Sequence, residues 1–92
     1  HLAPWGPERI RSLGLLTGGG GSELTVAAHD GLDTLLTGEG PHWTDGTARD
    51  LGLNLLYGGH YATETFGVRA LAAHLEARFG LPWTFLDVPS GL

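Results

Sequence analysis

The chain has 92 residues and a formal net charge of −5 at pH 7, and it contains no Cys, Met or Lys. This length suits one small domain with a modest hydrophobic core. The absence of Cys excludes disulfide bonds, thiol catalysis and cysteine-ligated zinc. Because the five Arg residues are scattered and form no basic stripe, nucleic-acid binding is disfavoured. The apolar runs are too short to span a bilayer, so no membrane association is expected.

Residues 1–9 are expected to form a linker or the tail of a preceding segment, because two Pro fall within the first seven positions. After them, short apolar runs alternate with segments of helical character. We predict strands over 10–16, 33–37, 53–57 and 83–88. We predict helices over 24–29, about 44–50 and about 62–79.

Helix ends are indicated by residues with known capping preferences. Ser22 is expected to cap the first helix, and Thr44 or Asp45 the second, because their side-chain oxygens can accept hydrogen bonds from free backbone N–H groups. Gly52 and Gly80 stand where left-handed C-terminal caps are expected. The longest helix is expected to bury one apolar stripe along its length. The members of this stripe are Val68, Leu71, Leu75 and Phe79.

The alternation of strands and helices predicts an α/β fold of right-handed βαβ units, with a mainly parallel sheet of about four strands. Residues 10–92 are expected to form this unit as one lobe. In parallel α/β sheets, ligands bind at the carboxyl ends of the strands. The predicted loops 17–22, 37–43 and 57–61 leave those ends, so we expect the functional residues there.

The main chemical signal lies in the last of these loops, where Gly58 and Gly59 separate a strand from the longest helix. His60 and Glu64 are four positions apart and would share one face of the helix if it begins by about Tyr61. An imidazole beside a carboxylate can form half of a divalent-metal site, and a helix N-terminus favours the ionised carboxylate. The same spacing also occurs on solvated helix faces that bind nothing, so both interpretations are open on spacing alone.

Six short sequence runs, spread over most of the chain, carry a family resemblance. They are GHYATE at 59–64, GVRAL at 67–71, GGGGS at 18–22, LTGE at 36–39, GLN at 52–54 and FLDVP at 85–89. In these runs the chain resembles the Nif-three-like family, many of whose bacterial members are named GTP cyclohydrolase 1 type 2 homologues. The first run is specific.

The resemblance implies a site for two divalent metal ions, with His60 and Glu64 among the ligands. The other ligands of the family are a His-His pair and an Asp from the N-terminal half, and no His-His pair exists in this sequence. Together with the start at His1 and the absence of Met, this implies a C-terminal portion of a larger, two-lobed α/β protein. His and carboxylate ligands accept zinc, iron or manganese, so the identity of the metal is open.

The resemblance also bears on assembly and location. It implies a ring-like homo-oligomer whose sites face an internal cavity. With no export signal visible at the N-terminus, it further implies a cytoplasmic protein.

Two further loops contain candidates for binding a phosphorylated substrate. In the glycine-rich loop, Gly19, Gly20 and Ser22 can present backbone N–H groups to an anion, although the Lys of a P-loop is absent. The alternative is a tight turn with close strand–helix packing. In the second loop, Thr37 and His42 are the candidates, and the alternative for His42 is a solvated surface histidine.

Glu39 is the candidate catalytic residue. It stands between two Gly directly after an apolar strand, where a carboxylate has no evident folding role. It can act as a general base, bind a metal-bound water, or orient His60 through a hydrogen bond. The alternative is a surface acid in a loop.

Three functions fit these residues. The first is a metal-dependent hydrolase that acts on a nucleotide-like or other phosphorylated substrate, with Glu39 as its general base. The second is a non-catalytic metal-binding or regulatory module that acts through protein partners. The third is a phosphate-binding or structural α/β domain in which His60 and Glu64 bind no metal. Metal-dependent turnover of GTP or another phosphorylated compound distinguishes the first from the second.

Overall fold

The computed structural model describes residues 1–91 and contains a four-stranded sheet within them; residue 92, the last of the predicted lobe, lies outside the described residues. The strands are β1 (Leu2–Pro4), β2 (Leu13–Leu15), β3 (Thr34–Thr37) and β4 (Asn54–Tyr57). The helices are α1 (Leu24–His29), α2 (Thr44–Leu51) and α3 (His60–Phe79), and a 3₁₀ turn, Gly20–Glu23, leads into α1. Strand and helix alternate from β2 to α3, as the sequence predicts.

The order of strands in the sheet is β1-β4-β3-β2. Strands β2, β3 and β4 are parallel, which confirms the α/β class and the mainly parallel sheet. Strand β1 pairs antiparallel with β4, so that Ala3 lies opposite Leu55. Because parallel strands point the same way, the loops that follow β2, β3 and β4 leave the sheet at one edge.

Helices α1 and α2 pack against each other and against the sheet. The buried core that they form with it consists of Ala3, Leu24, Ala27, Leu35, Ala48, Leu53 and Leu55. Three of these residues, Ala3, Leu55 and Leu35, lie side by side in the register of neighbouring strands. Alternate residues of each strand therefore face the two helices.

Helix α3 begins at His60, two residues earlier than predicted, and Gly59 precedes it with a φ of 95°. The helix therefore contains His60 as its first residue and Glu64 one turn later. At the other end, Gly80 has a φ of 68°, and Gly52 ends α2 with a φ of 64°, so both left-handed caps are confirmed. No helix among the described residues combines the length and the apolar character needed to cross a bilayer.

The buried stripe predicted along α3 is wrong. None of the residues of this helix, all of which the structure describes, is buried. Val68, Leu71 and Phe79 are each more than half exposed, at 57%, 58% and 60%, and Leu75 is half-buried. Apolar residues at helical spacing show which face of a helix is apolar, but they do not show what covers that face.

The linker expected over residues 1–9 contains the edge strand β1. Pro4 is compatible with this position, because an edge strand does not need every N–H for pairing. Beyond the strand, Asn54 holds the segment: its Oδ1 accepts the N–H of Gly6 and its Nδ2 donates to the C=O of Pro7, both at 2.9 Å. The first seven residues therefore pack as part of the domain.

The strand predicted over 83–88 is not formed, and the last part of the described chain has no regular secondary structure. This segment turns back along α3, where Trp83 Nε1 donates to Glu76 at 3.0 Å and the hydroxyl of Tyr61 donates to Asp87 at 2.8 Å. A strand needs a neighbouring strand to satisfy its backbone groups. Within residues 1–91 this segment lies beside a helix instead.

Two predicted N-terminal caps are also wrong. Ser22 lies inside the 3₁₀ turn, and Glu23 holds the cap position of α1 without a side-chain cap bond. Trp43 holds the cap position of α2, so that Thr44 and Asp45 are its first two residues. The 3₁₀ turn supplies backbone bonds at the start of α1, which removes the need for a capping side chain there.

Candidate functional site

The loops at the carboxyl edge of the sheet are joined by backbone hydrogen bonds. The N–H of Glu39, after β3, donates to the C=O of Gly18, after β2, at 2.9 Å. The N–H of Gly59, after β4, donates to the C=O of Gly38 at 2.9 Å. The three loops therefore form one connected surface, where the parallel sheet predicts a ligand site.

His60 lies at the centre of this surface, with a carboxylate on each side. Its Nδ1 is 2.7 Å from Oε1 of Glu39, and its Nε2 is 3.4 Å from Oε1 of Glu64. The side chains of His60, Glu39 and Glu64 are 35%, 44% and 56% exposed. The imidazole is thus held by Glu39 with its other nitrogen facing Glu64, in a position that solvent can reach.

The two carboxylates shift the protonation equilibrium of His60. The hydrogen bond with Glu39 is the main reason why the pKa of His60 lies above its ordinary value of 6.5. Partial burial opposes this rise, and the negative charges of Glu64 and Glu39 add to it. Negative charge on both sides of the ring favours a cation at this position, whether that cation is a proton or a metal ion.

Gly18 lies directly against the His60–Glu64 pair. A Cβ placed on Gly18 would come within 2.5 Å of Glu64 Oε1 and 3.1 Å of His60 Nε2, and Gly18 has a φ of 64°. Both the backbone conformation and the close approach require glycine. Gly18 therefore forms a wall of the site beside His60 and Glu64.

The N–H groups of the glycine loop are largely directed into the protein. Gly18 donates to Thr63 Oγ1 at 3.0 Å, and Gly20 donates to Thr37 Oγ1 at 3.1 Å. A phosphate cradle needs such groups to be free for the ligand. For Gly20 the geometry therefore favours the alternative stated above, a tight turn with close packing.

The other predicted substrate-binding residues lie at different distances from His60 and Glu64. Gly19 is exposed and borders the imidazole, since a Cβ on it would be 3.7 Å from Cε1 of His60. Thr37 is fully buried and supports the glycine loop. Ser22 is exposed on the 3₁₀ turn. Of these residues, only Gly19 is placed to touch a ligand held at His60.

His42 is exposed and lines a separate depression of about 350 Å³. The other side chains of this depression include His1, Asp45 and Tyr57, and His1 Nε2 is 3.3 Å from Oδ1 of Asp45. The structure therefore does not bring His42 together with His60, although both histidines follow strands of the same sheet.

Thr63 is a residue of the site that sequence patterns did not reveal. It lies on the first turn of α3 between the two proposed ligands, and its hydroxyl accepts the N–H of Gly18. A Thr within a helix usually bonds only to its own helix backbone. Its position beside His60 and Glu64 is readable from the sequence, but its bond to a loop 45 positions away is not.

The donor groups can be tested for their fit to a divalent ion. Across residues 1–91, no three His, Asp or Glu side chains are grouped as a complete metal-binding set. The 3.4 Å between His60 Nε2 and Glu64 Oε1 matches the roughly 3.3–3.5 Å that separates two ligands of a tetrahedral ion with bonds of about 2.0–2.2 Å. Glu39 occupies the place of the outer carboxylate that metal-binding histidines usually have. The three residues therefore fit a site in which His60 and Glu64 are two of the ligands and Glu39 supports the imidazole.

The fold and the site define a class of protein: a mainly parallel α/β domain with a histidine–carboxylate cluster on the glycine turns at its carboxyl edge. The sequence model of the family Duf34/NIF3 (NGG1p interacting factor 3) matches residues 1–90. The chain belongs to this family, which confirms the resemblance found in its sequence.

Known relatives agree with this assignment. The GTP cyclohydrolase 1 type 2 homolog of Deinococcus radiodurans is 48% identical over 87 residues, which cover 95% of this chain and 33% of that protein. The homolog of the same name from Treponema pallidum is 40% identical over 92 residues, covering 100% of this chain and 32% of that protein. The crystal structure of TTHA1606 from Thermus thermophilus matches with a TM-score of 0.92 and 47% identity, over 100% of this chain and 37% of that one. The chain thus spans about a third of the length of these relatives.

Proposed function

We propose that His60 and Glu64 bind a divalent metal ion, and that the whole protein uses it to hydrolyse a nucleotide-like or other phosphorylated substrate. The observation that carries the proposal is the arrangement around one imidazole. Glu39 lies 2.7 Å from Nδ1, and Nε2 faces Glu64 at 3.4 Å. A carboxylate on the second nitrogen is the usual companion of a metal-binding histidine.

Each of the three side chains has a distinct role in this proposal. Glu39 accepts a hydrogen bond from the Nδ1–H group of the neutral imidazole, which leaves the lone pair of Nε2 available to an ion. Glu64 adds a carboxylate oxygen and a negative charge on the same side. Bound there, a divalent ion supplies Lewis acidity for hydrolysis. Because Oε1 of Glu39 is engaged with His60, we assign Glu39 to orienting the ring, in preference to the general-base role.

The rest of the proposal depends on family membership. Relatives that carry the name GTP cyclohydrolase 1 type 2 homolog support a nucleotide-like substrate. Two ions per complete site, with further ligands from outside residues 1–91, are proposed on the same ground. A ring-like homo-oligomer and a cytoplasmic location are also proposed on this ground.

Metal analysis of the whole protein as purified is the test of the site. The parent is compared with a His60→Ala, Glu64→Ala double variant and with His74→Ala, which removes an exposed imidazole from the same helix. We expect near-stoichiometric divalent metal in the parent and in His74→Ala, and none in the double variant. Equal metal content in the double variant and the parent would overturn the proposal.

Turnover separates the hydrolase from a non-catalytic metal-binding module. The metal-loaded parent is incubated with GTP and with p-nitrophenyl phosphate, and the metal-free parent and the double variant serve as controls. Metal-dependent hydrolysis of either compound supports the hydrolase. Full metal occupancy without hydrolysis of either would favour a module that acts through protein partners.

A further inference from the structure

The hydroxyl of Thr63 joins the first turn of α3 to the glycine loop. Its Oγ1 accepts the N–H of Gly18 at 3.0 Å and donates to the C=O of Gly59 at 2.9 Å. A hydroxyl group has one donor and two acceptor positions, so both bonds can form at once. Since Gly18 is buried, its N–H needs a protein partner, and Thr63 supplies one from 45 positions away.

Gly18 is the part of the loop that touches the proposed ligands. A Cβ on it would lie 2.5 Å from Glu64 Oε1 and 3.1 Å from His60 Nε2. Its C=O accepts the N–H of Glu39 at 2.9 Å. A shift of Gly18 would therefore move the wall beside both proposed ligands, and with it the backbone of the residue that orients His60.

The side chain of Thr63 is held on two sides. A Cβ on Gly38 would lie 2.7 Å from Thr63 Oγ1, and a Cβ on Gly58 would lie 3.2 Å from Thr63 Cγ2. The two turns thus leave room for the side chain of Thr63 only because Gly38 and Gly58 have no Cβ.

We infer that Thr63 is a positioning residue of the site: its hydroxyl fixes Gly18, and through Gly18 also Glu39, in the arrangement that lets His60 and Glu64 bind a divalent ion. The inference rests on the proposed function and adds a residue to it. Thr63 itself contacts neither ion nor substrate, and it acts through the loop that it holds.

Two variants of the whole protein test the hydroxyl and the methyl group of Thr63 separately. Thr63→Val keeps its shape and removes the hydroxyl, whereas Thr63→Ser keeps the hydroxyl and removes the methyl group. Affinity for zinc and for manganese ions is measured by competition with a chelator. Loss of an outer partner typically weakens metal binding about 10- to 100-fold, and we expect a loss of this size in Thr63→Val. Thr63→Ser is expected to bind both ions as the parent does.

Thr65→Val is the matched control. The hydroxyl of Thr65 donates to the C=O of Ala62 in the same helix at 3.0 Å, so its removal tests the loss of a helical hydroxyl without the bond to the loop. We expect parental metal affinity in this control. Hydrogen exchange at the Gly18 amide, measured in the metal-free protein, is expected to be faster in Thr63→Val and unchanged in Thr63→Ser.

The outcomes separate the inference from the function on which it rests. A parent that binds neither zinc nor manganese overturns the proposed function and the inference together. A parent that binds metal while Thr63→Val binds it equally well overturns the inference alone, as does equal loss in Thr63→Val and Thr63→Ser. If Thr63→Val does not fold, Thr63→Ser decides, because retained affinity supports the role of the hydroxyl and lost affinity overturns it.

Discussion

Oε1 of Glu39 lies 2.7 Å from Nδ1 of His60, although the two residues are 21 positions apart in the sequence. Glu39 follows β3 and His60 follows β4, and these strands are parallel neighbours. The contact is therefore a product of the sheet topology, which brings the two strand ends to one edge. Its chemical consequence is that the ring is held by one nitrogen while the other faces Glu64.

Removing this contact should weaken metal binding without removing a proposed ligand. In the whole protein, Glu39→Ala is expected to lower affinity for zinc about 10- to 100-fold, because the ring of His60 loses the partner that orients it. Glu39→Gln keeps an acceptor for Nδ1 and should lose less. Competition with a chelator measures both, with Glu23→Ala as an exposed acidic control. Parental affinity in Glu39→Ala would show that another group orients His60.

The attachment of the first residues to the domain depends on Asn54, which is 7% exposed. Asn54→Ala removes the acceptor of Gly6 N–H and the donor to Pro7 C=O. We expect the free energy of unfolding to fall by about 1–3 kcal/mol, the usual cost of leaving a buried polar group without a partner. Urea unfolding of the whole protein measures this, and Thr25→Ala, on the exposed side of α1, should change it little. A negligible loss in Asn54→Ala would mean that other contacts hold the segment.

Features that depend on local physics could be predicted from the sequence. The apolar runs of β3 and β4, and the glycine caps at Gly52 and Gly80, need only neighbouring residues for their explanation. The exposure of Leu71 and Phe79 could not be predicted, because burial of a helix face depends on a partner that the helical pattern does not contain. Edge strand β1 could not be predicted for a related reason, since a proline-rich segment becomes a strand only where β4 offers an edge.

In the site, too, local features could be predicted from the sequence and tertiary contacts could not. His60 and Glu64 could be paired from their spacing, because residues four apart share a helix face. Glu39 could be placed near them only through the inferred sheet, and its partner atom was beyond sequence reasoning. The bond from Gly18 to Thr63 depends on how two glycine turns approach each other, and no periodic pattern records such an approach.

Asp33 connects the segment before β2 to β3, and its contribution to stability should depend on pH. Its Oδ2 accepts the N–H groups of Arg11 and Ser12 at 2.9 and 3.2 Å, and its Oδ1 accepts the hydroxyl of Thr34 at 2.9 Å. Burial alone would raise the pKa of Asp33, but these hydrogen bonds together lower the pKa below its ordinary value of 3.8. A carboxyl group whose pKa is lower in the folded state stabilises that state above its unfolded pKa.

The expected result for Asp33→Asn follows from the lower pKa of Asp33 in the folded state. The variant should be less stable than the parent at neutral pH, and the difference should shrink as the pH falls from 3.8 through the lower pKa of the folded state, where the parental carboxylate also becomes protonated. Urea unfolding midpoints of both proteins, compared over this range, provide the measurement. A difference that stays constant with pH would mean that the charge of Asp33 does not contribute.

Gly18→Ala should separate the strain of a left-handed residue from the geometry of the site. Gly18 and Gly52 both have a φ of 64°, but a Cβ on Gly52 meets nothing within 4 Å, whereas one on Gly18 lies 2.5 Å from Glu64 Oε1. Alanine at either position is expected to cost about 1–2 kcal/mol of stability through its backbone conformation. In the whole protein, only Gly18→Ala should also lower affinity for zinc, because the carboxylate of Glu64 must move away. If Gly18→Ala and Gly52→Ala bind zinc equally well, Glu64 binds the ion from a position that does not depend on this wall.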